Sequence, residues 1–394
     1  MNKAVKAMSY VCTALIASAA TAFTLILLMT GSQPAVRTQT SKLNELGNLI
    51  DERFIGEVDE TLMNDAAAAA MVASLGDRWS YYIPAADYQS YLEQMENAYV
   101  GIGVTVSLTE DQTAIRVVQV TPGGPAEEAG ILAGDILLGT DGAAFASAEL
   151  EEARSKIQGT PGTVVTIMVD RNGEKLDIPV ERRQIQVVVA AGQMITDKTG
   201  LIKISNFDDR CSAETLAAIE ELQKQGAENL IFDVRFNPGG YKHELVKILD
   251  YLLEEGPLFR SMDYLGREEV DYCKDDHHLD IPMAVLVNEE SYSAAEFFAA
   301  ALQEYGAAEI VGQQTIGKGY FQQTYQLSDG SAVGLSVGKY FTPQGVSLAD
   351  VGISPDKVVD LDEEMMAQIY MGALTPEEDP QIQAAVEILE KGQQ

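Results

Sequence analysis

The sequence has few of the residues that disulfides, metal sites and histidine-dependent catalysis require. It contains only three cysteines and three histidines among 394 residues, and no CxxC or other zinc-binding spacing is present. Cys12 lies in an apolar N-terminal stretch, which leaves Cys211 and Cys273 as a candidate disulfide if that part of the chain is exported. Two histidines are adjacent in the polar segment 271–280, where neighbouring side chains point in different directions. We therefore predict no metal site and no cofactor.

Basic residues are also scarce, with 27 lysines and arginines against 60 acidic residues and a net charge of −33. Nucleic acids and anionic membrane surfaces are bound by clustered lysine and arginine, so this balance argues against both as partners of the soluble part. Hydrophobic residues make up 46% of the chain. A chain of this length and composition is expected to form two or three domains with apolar cores.

The N-terminal stretch 8–30 carries no charge and follows Lys3 and Lys6. About 20 apolar residues suffice to span a bilayer, so this stretch is predicted to be a membrane anchor with its basic end inside. The alternative is a cleaved signal peptide with a small-residue site at 20–22. Apolar residues continue past that site, which favours the anchor. Both alternatives place the rest of the chain outside the cytoplasm.

The remaining chain changes pattern several times, and the predicted fold class is α+β with several domains. Alternation of strands and helices after residue 186 implies a parallel sheet with right-handed crossovers. The predicted segments are an anchor and linker (1–36), a helical region (37–97), a β-rich module (98–185), an α/β core (186–360) and an acidic helical tail (361–394).

Ser293 is predicted to lie at the N-terminus of a helix. The apolar run 281–287 has the length of a buried parallel strand, and 294–305 is rich in strong helix formers. Unpaired backbone N–H groups at a helix N-terminus can stabilise an oxyanion, so Ser293 is a candidate nucleophile. A plain N-cap serine would fit the same spacing.

Lys318 is the candidate base for that serine. It lies between Gly317 and Gly319, which allow the backbone to approach a neighbouring element closely. Burial would lower the lysine pKa from about 10.4 and let the neutral amine accept a proton. A surface lysine in a glycine turn is the alternative. His243, the one histidine placed to serve a serine, is disfavoured because Lys318 already fills that role.

The segments SYSAAEFFAAAL and TIGKGYFQQ resemble the SASASE and FGKG…Q signature of the carboxy-terminal processing peptidases, the tail-specific serine proteases of the S41 type. The resemblance implies that Ser293 is the nucleophile and Lys318 its base. It also implies that Gln322, four residues beyond the lysine, orients the amine. The α/β core is then expected to be crotonase-like.

The segment DVRFNPGG at 233–240 resembles the DLRxNPGG motif of the same family. Its glycines would expose backbone N–H groups at the carboxyl end of a strand, where α/β sheets place their sites. We predict an oxyanion hole formed by Gly239 or Gly240 together with the Ser293 amide. The same four residues NPGG would also form a simple turn. The segment LGDRWSYY at 75–82 resembles a further family motif, for which a structural role is predicted.

The β-rich module resembles a PDZ domain. Val100, Gly101, Ile102 and Gly103 take the place of the loop that holds a terminal carboxylate, while the adjacent strand edge accepts a peptide as an extra strand. Family members commonly carry arginine at the position of Gln158. Coupling between peptide binding and the protease core is therefore expected to differ here.

Taken together, the sequence predicts a membrane-anchored, extracytoplasmic serine endopeptidase that recognises C-terminal tails of its substrates through a PDZ domain. The resemblance also suggests a dimer or a larger assembly. A non-catalytic PDZ scaffold that binds exposed C-termini is the alternative. Acyl-thioester chemistry on a crotonase-like fold is disfavoured by the export segment and the peptide-binding module.

Overall fold

A computed structural model describes residues 36–109, 111–146, 149–273 and 278–391. The predicted anchor, 8–30, lies outside these residues. Within them, no helix has the length and apolar character needed to cross a bilayer.

Two helices, α1 (Val36–Arg53) and α2 (Glu60–Ala73), form the first part of the described chain. The sequence between them, FIGEVD, contains glycine and β-branched or aromatic residues, which are weak helix formers. A short strand, β1 (Tyr81–Ile83), and a helix, α3 (Ala85–Met95), come next, and Pro84 stands between them with a φ of −56°.

Residues 98–186 form a compact antiparallel module. A two-stranded ribbon of β2 and β9 leads into and out of a six-stranded sheet in the order β3-β4-β5-β7-β8, with β6 paired to β5. The elements are β2 (Ala98–Gly101), β3 (Val104–Leu108), β4 (Ile115–Val120), α4 (Pro125–Ala129), β5 (Ile136–Thr140), β6 (Ala143–Ala144), α5 (Leu150–Ile157), β7 (Val164–Arg171), β8 (Glu174–Glu181) and β9 (Arg183–Gln186).

Alternating apolar residues build the core of this module. Val165, Ile167 and Val169 point inwards from β7 and are fully buried. Each such side chain contributes about 1.5–3 kcal/mol when buried. Strand β3 is the last strand of the described sheet on one side, and α5 packs beside it. The edge of β3 is therefore open to an added strand.

The second module is built on a six-stranded sheet in the order β10-β11-β12-β15-β16-β19, in which every pairing except β10 with β11 is parallel. Its strands are β10 (Ala190–Met194), β11 (Thr199–Ile204), β12 (Asn229–Asp233), β15 (Met283–Val287), β16 (Ala308–Gly312) and β19 (Lys357–Val358). Its helices are α6 (Cys211–Lys224), α7 (Lys242–Leu252) and α8 (Ala294–Glu304).

Both faces of this parallel sheet are covered, so β12 and β15 are buried along their whole length. Phe232 and Val285 face the three helices, whereas the alternate residues Ile231 and Ala284 face helix α10 (Pro380–Lys391). The helical tail thus completes the core. Helix α9 (Glu363–Tyr370) precedes it.

A five-stranded antiparallel sheet adjoins this core. Strand β18 (Ala332–Phe341) is central and pairs with β1, β13 (Gly256–Asp263) and β17 (Tyr320–Gln326), while β14 (Glu268–Cys273) pairs with β13. The pairing of β1 with β18 carries residues 75–83 to the loop that precedes β17. Cys211 and Cys273 are both buried and do not form a disulfide with each other, so the candidate disulfide is absent.

Candidate active site

Ser293 lies in a strained turn between the buried strand β15 and helix α8. Its backbone has φ 57° and ψ −125°, and its side chain is almost completely buried. Such a conformation costs a non-glycine residue about 1–3 kcal/mol and persists only when the surrounding structure holds it. The turn therefore places the serine hydroxyl at the helix N-terminus, as the sequence pattern predicts.

The Glu296 carboxylate holds this turn against the loop that carries Lys318. It accepts hydrogen bonds from the Ser293 N–H at 3.0 Å, the Lys318 N–H at 2.8 Å, the Gly317 N–H at 2.7 Å and the Thr315 hydroxyl at 2.5 Å. Burial raises the Glu296 pKa, although these four hydrogen bonds act in the opposite direction. The Glu296 carboxylate thus fixes the backbones of Ser293 and Lys318.

The side chain of Lys318 is enclosed by aromatic rings. Its Nζ lies 4.9 Å from the ring centre of Trp79 and 5.5 Å from that of Tyr292, and the two rings are 5.9 Å apart. Burial lowers the pKa of Lys318, and the negative charges of Glu296 and Asp77 only partly oppose this effect. The lysine is therefore more readily neutral than an exposed one.

Gln322 lies on β17 and is fixed by its amide nitrogen. Nε2 donates to the Ser336 hydroxyl at 3.0 Å and to the Tyr320 carbonyl at 3.3 Å. The Ser336 N–H in turn donates to the Ser80 hydroxyl at 3.1 Å. These bonds connect Gln322 to the LGDRWSYY segment.

The NPGG turn follows β12 and lies against the serine turn. The buried side-chain amide of Asn237 donates to the Ile204 carbonyl at 2.8 Å and accepts a hydrogen bond from the Gly239 N–H at 2.8 Å. The backbone carbonyl of Asn237 accepts a hydrogen bond from the Tyr292 N–H at 3.1 Å. The N–H groups of Gly239 and Ser293 thus both have internal acceptors. Within the described residues, no acceptor is found for the N–H of Gly240 or of Ala294.

Gly239 approaches Ser293 so closely that a side chain would not fit. A Cβ at Gly239 would lie 2.6 Å from the Ser293 Cβ and 2.9 Å from the Ala294 nitrogen, and its φ is +91°. We expect Gly239→Ala to lower kcat/KM by about tenfold or more, because it displaces the nucleophile. Gly226→Ala is the matched control, since φ there is +100° but nothing lies within 4 Å. Equal activity of the two variants in a peptide-cleavage assay would contradict this placement.

A cavity of about 1330 Å³ contains these groups. Ser293, Lys318, Gln322, Gly239 and Gly240 all line it. The structure therefore brings the three predicted catalytic residues and both predicted oxyanion-hole glycines to one site. His243 lies outside this lining and stacks on Tyr241 with ring centres 5.3 Å apart.

The predicted peptide-binding residues lie at a different place. Val100 and Gly101 belong to β2, while Ile102 and Gly103 join it to β3; none of the four lines the cavity. Gln158, at the end of α5, does line it, and so does Arg154 one turn earlier. The β-rich module therefore contributes a wall of the cavity through α5.

Three residues at this site were not singled out from the sequence pattern. The hydrogen bonds of Glu296 to both turns and the contacts of Trp79 and Tyr292 with the lysine were not predicted. Glu296 stands at the third position of a helix that a serine opens, which is the capping-box spacing. Trp79 is the single tryptophan of the chain and belongs to a segment with a recognisable motif.

The fold joins an α/β core, in which Ser293 and Lys318 line one cavity, to a small antiparallel β module. Comparison with known families agrees, since the model of peptidase family S41 matches residues 198–359 and that of the PDZ domain matches residues 100–181.

Comparison of the chain with individual proteins agrees with the two family models. The chain is 31% identical over 359 residues to the carboxy-terminal processing protease CtpA of Bacillus subtilis (strain 168), covering 89% of this chain and 76% of that protein. It is also 31% identical to a Staphylococcus aureus (strain COL) protein assigned as a CtpA-like serine protease, covering 82% of this chain and 66% of that one. A solved structure of a Bacteroides fragilis protein assigned to the S41 proteases shares the fold, with a TM-score of 0.52, 16% identity and coverage of 86% and 92%.

The chain therefore belongs to peptidase family S41 and carries a PDZ domain. This confirms the family predicted from the sequence, together with the PDZ module and the protease core. The chain spans about two thirds to three quarters of the length of these two curated relatives.

Proposed function

We propose that this protein is a carboxy-terminal processing endopeptidase that cleaves peptide bonds with Ser293 and Lys318. The observation that carries the proposal is the shared cavity, in which a strained serine and a half-buried lysine of lowered pKa are joined through Glu296. Neutral Lys318 takes the proton from the Ser293 hydroxyl, whose oxygen attacks the substrate carbonyl. Lys318 then gives the proton to the leaving amine, and a water molecule deprotonated by Lys318 hydrolyses the remaining acyl-serine, which releases the carboxylic acid and restores Ser293.

The backbone supplies the groups that hold the oxyanion. Of the N–H groups predicted from the sequence, that of Gly240 remains available, whereas those of Gly239 and Ser293 already donate to Asn237 and Glu296. The N–H of Ala294, the residue after the nucleophile, is the second available donor. This pair is proposed as the oxyanion hole. The amide nitrogen of Gln322 is occupied by Ser336, so its carbonyl oxygen serves to orient the lysine.

Substrate tails are proposed to bind at the PDZ domain. The open edge of β3 adds the tail as a strand, and the segment 100–103 at the end of β2 receives its carboxylate. Because Arg154 and Gln158 of α5 line the catalytic cavity, a tail that contacts α5 acts directly on a wall of that cavity. Arg154 thereby supplies a cation one turn before the position where family members commonly carry arginine.

An intact-mass assay tests this function. The chain from Val36 onward is incubated with an unfolded protein that ends in an apolar tail, beside the Ser293→Ala variant. Internal cleavage by the wild type alone supports the proposal. Binding of the tail without cleavage by either protein would replace it with the scaffold interpretation.

We also propose that residues 8–30 anchor the protein in a membrane with the catalytic part outside the cytoplasm. The support is the uncharged length of this stretch and the lysines that precede it. Membrane fractionation of the whole chain beside a chain that starts at Val36 tests it, since equal partition into the soluble fraction would exclude the anchor.

A further inference from the structure

Asp208 is a buried carboxylate in the catalytic cavity with an unsatisfied oxygen. Its side chain is only 3% exposed, it lines the cavity, and its Oδ1 has no hydrogen-bond partner among the described residues. Buried polar atoms are nearly always paired, because leaving one unpaired costs the desolvation of that group. An orphaned oxygen on a carboxylate side chain that lines a cavity is therefore expected to gain its partner from a ligand.

The position of Asp208 relative to the catalytic groups is rigid. The preceding residue, Phe207, forms an isolated parallel β-bridge with Gly240. Its N–H donates to the Gly239 carbonyl at 2.7 Å, and its carbonyl accepts a hydrogen bond from the Tyr241 N–H at 2.8 Å. The Asp208 N–H donates to the Asn206 side chain at 3.0 Å. The residue before Asp208 is thus fixed to the turn proposed to bind the oxyanion, and Asp208 lines the same cavity as Ser293.

Among the described residues, no cation pairs with the Asp208 carboxylate. Burial, together with the neighbouring charge of Asp209, raises the pKa of Asp208 to about 7. The nearest basic residue in sequence, Arg210, is already used: its guanidinium bonds to Glu214 at 3.1 Å and to the carbonyls of Glu96 and Val187. A positive group brought by a ligand would pair with Asp208 and favour its charged form.

The charges around the cavity also favour a cationic ligand. The acidic residues in its lining outnumber the basic ones: they are Asp87, Glu93, Glu151 and Asp208, against Arg154 and Lys318. One of the two basic residues, Lys318, has a lowered pKa. A cleft with an excess of one charge concentrates ligands of the opposite charge.

We propose that Asp208 is a specificity residue that selects substrates with a lysine or arginine side chain next to the scissile bond. This inference rests on the catalytic site proposed above. The incoming ammonium or guanidinium pairs with the Asp208 carboxylate, and a small rotation of the side chain brings the buried Oδ1 to this partner when such a substrate is bound. Asp208 thereby positions the substrate and takes no part in proton transfer.

The test is a set of peptides that differ only at the residues flanking the cleaved bond, with lysine, leucine, norleucine or glutamate in turn, each ending in the same apolar tail. For the wild type we expect kcat/KM to be on the order of tenfold higher for lysine than for leucine or norleucine at one flanking position. For Asp208→Asn, which keeps the shape of the side chain, the lysine-to-leucine ratio is expected to fall to about 1.

Asp209→Asn is the matched control, since it removes the same charge from an exposed neighbour that does not line the cavity. It is expected to keep the preference for lysine. Asp208→Ser provides a second variant in case Asp208→Asn does not fold. A wild-type ratio near 1, or a lysine preference that survives in either Asp208 variant, would overturn the proposal while leaving the peptidase function intact. Failure of the wild type to cut any of these peptides would instead count against the peptidase itself and remove the basis of the inference.

Discussion

Alanine at Ser293 or at Lys318 is expected to lower kcat/KM for peptide cleavage by about 10³-fold or more, because each removes a group that acts in bond cleavage. The two losses should not add in the double variant, since the serine and the lysine act as a unit. Steady-state cleavage of a tail-bearing peptide measures kcat/KM for the two single variants and the double variant. Lys339→Ala, which removes an exposed lysine from the neighbouring strand β18, is the control and should keep wild-type activity.

The pH dependence separates a base from a merely positive side chain. Only neutral lysine accepts a proton, so kcat/KM should rise with pH through the pKa of Lys318. Burial lowers that pKa below its usual 10.5, so the rise should begin at lower pH than an exposed lysine allows. Arginine keeps the charge but does not deprotonate, so Lys318→Arg should be inactive throughout. Substantial activity in Lys318→Arg would exclude the lysine as the base.

Lys318→Met tests whether variants of Lys318 lose activity because the protein no longer folds. Methionine can keep the packing against Trp79 and Tyr292 and removes a charge whose burial is unfavourable. A thermal midpoint equal to or above that of the wild type is expected at neutral pH. A much lower midpoint would mean that the lysine is mainly structural.

The sequence located the candidate site residues better than it located their surroundings. Ser293, Lys318 and the NPGG turn each carry a local signal: a serine before a helix, a lysine between glycines, and a turn after a buried strand. The structure then brings them into one cavity, because β12 and β15 are parallel neighbours whose carboxyl ends meet at the same edge.

Contacts made across long sequence distances were not predictable in this way. Trp79 reaches Lys318 only because β1 pairs with β18 and carries its segment across the adjoining sheet. Asp208 is distinguished by an Oδ1 that has no hydrogen-bond partner among the described residues, and that property exists only in the folded chain. Which N–H groups remain available for an oxyanion likewise depends on side-chain acceptors from Asn237 and Glu296.

Glu296→Gln is expected to lower kcat by about 10²-fold, because it loosens both catalytic turns at once. The wild-type carboxylate receives four donors: the N–H groups of Ser293, Gly317 and Lys318, and the hydroxyl of Thr315. A glutamine has one acceptor oxygen, and its NH₂ group would face some of these donors. Each buried donor left unsatisfied costs about 1–3 kcal/mol, so the free energy of unfolding should fall by about 2–4 kcal/mol.

Glu304→Gln separates the catalytic effect of that substitution from its effect on stability. Glu304 lies on the same helix and also accepts a hydroxyl and a backbone N–H, from Thr342 at 2.5 Å and Gln344 at 2.9 Å, but it does not line the cavity. Denaturant unfolding should show a loss of stability in both variants, whereas kcat should fall only in Glu296→Gln. A drop in kcat confined to Glu296→Gln means that the geometry of Ser293 and Lys318 depends on this carboxylate. Equal kcat in the two variants would reduce Glu296 to a helix cap.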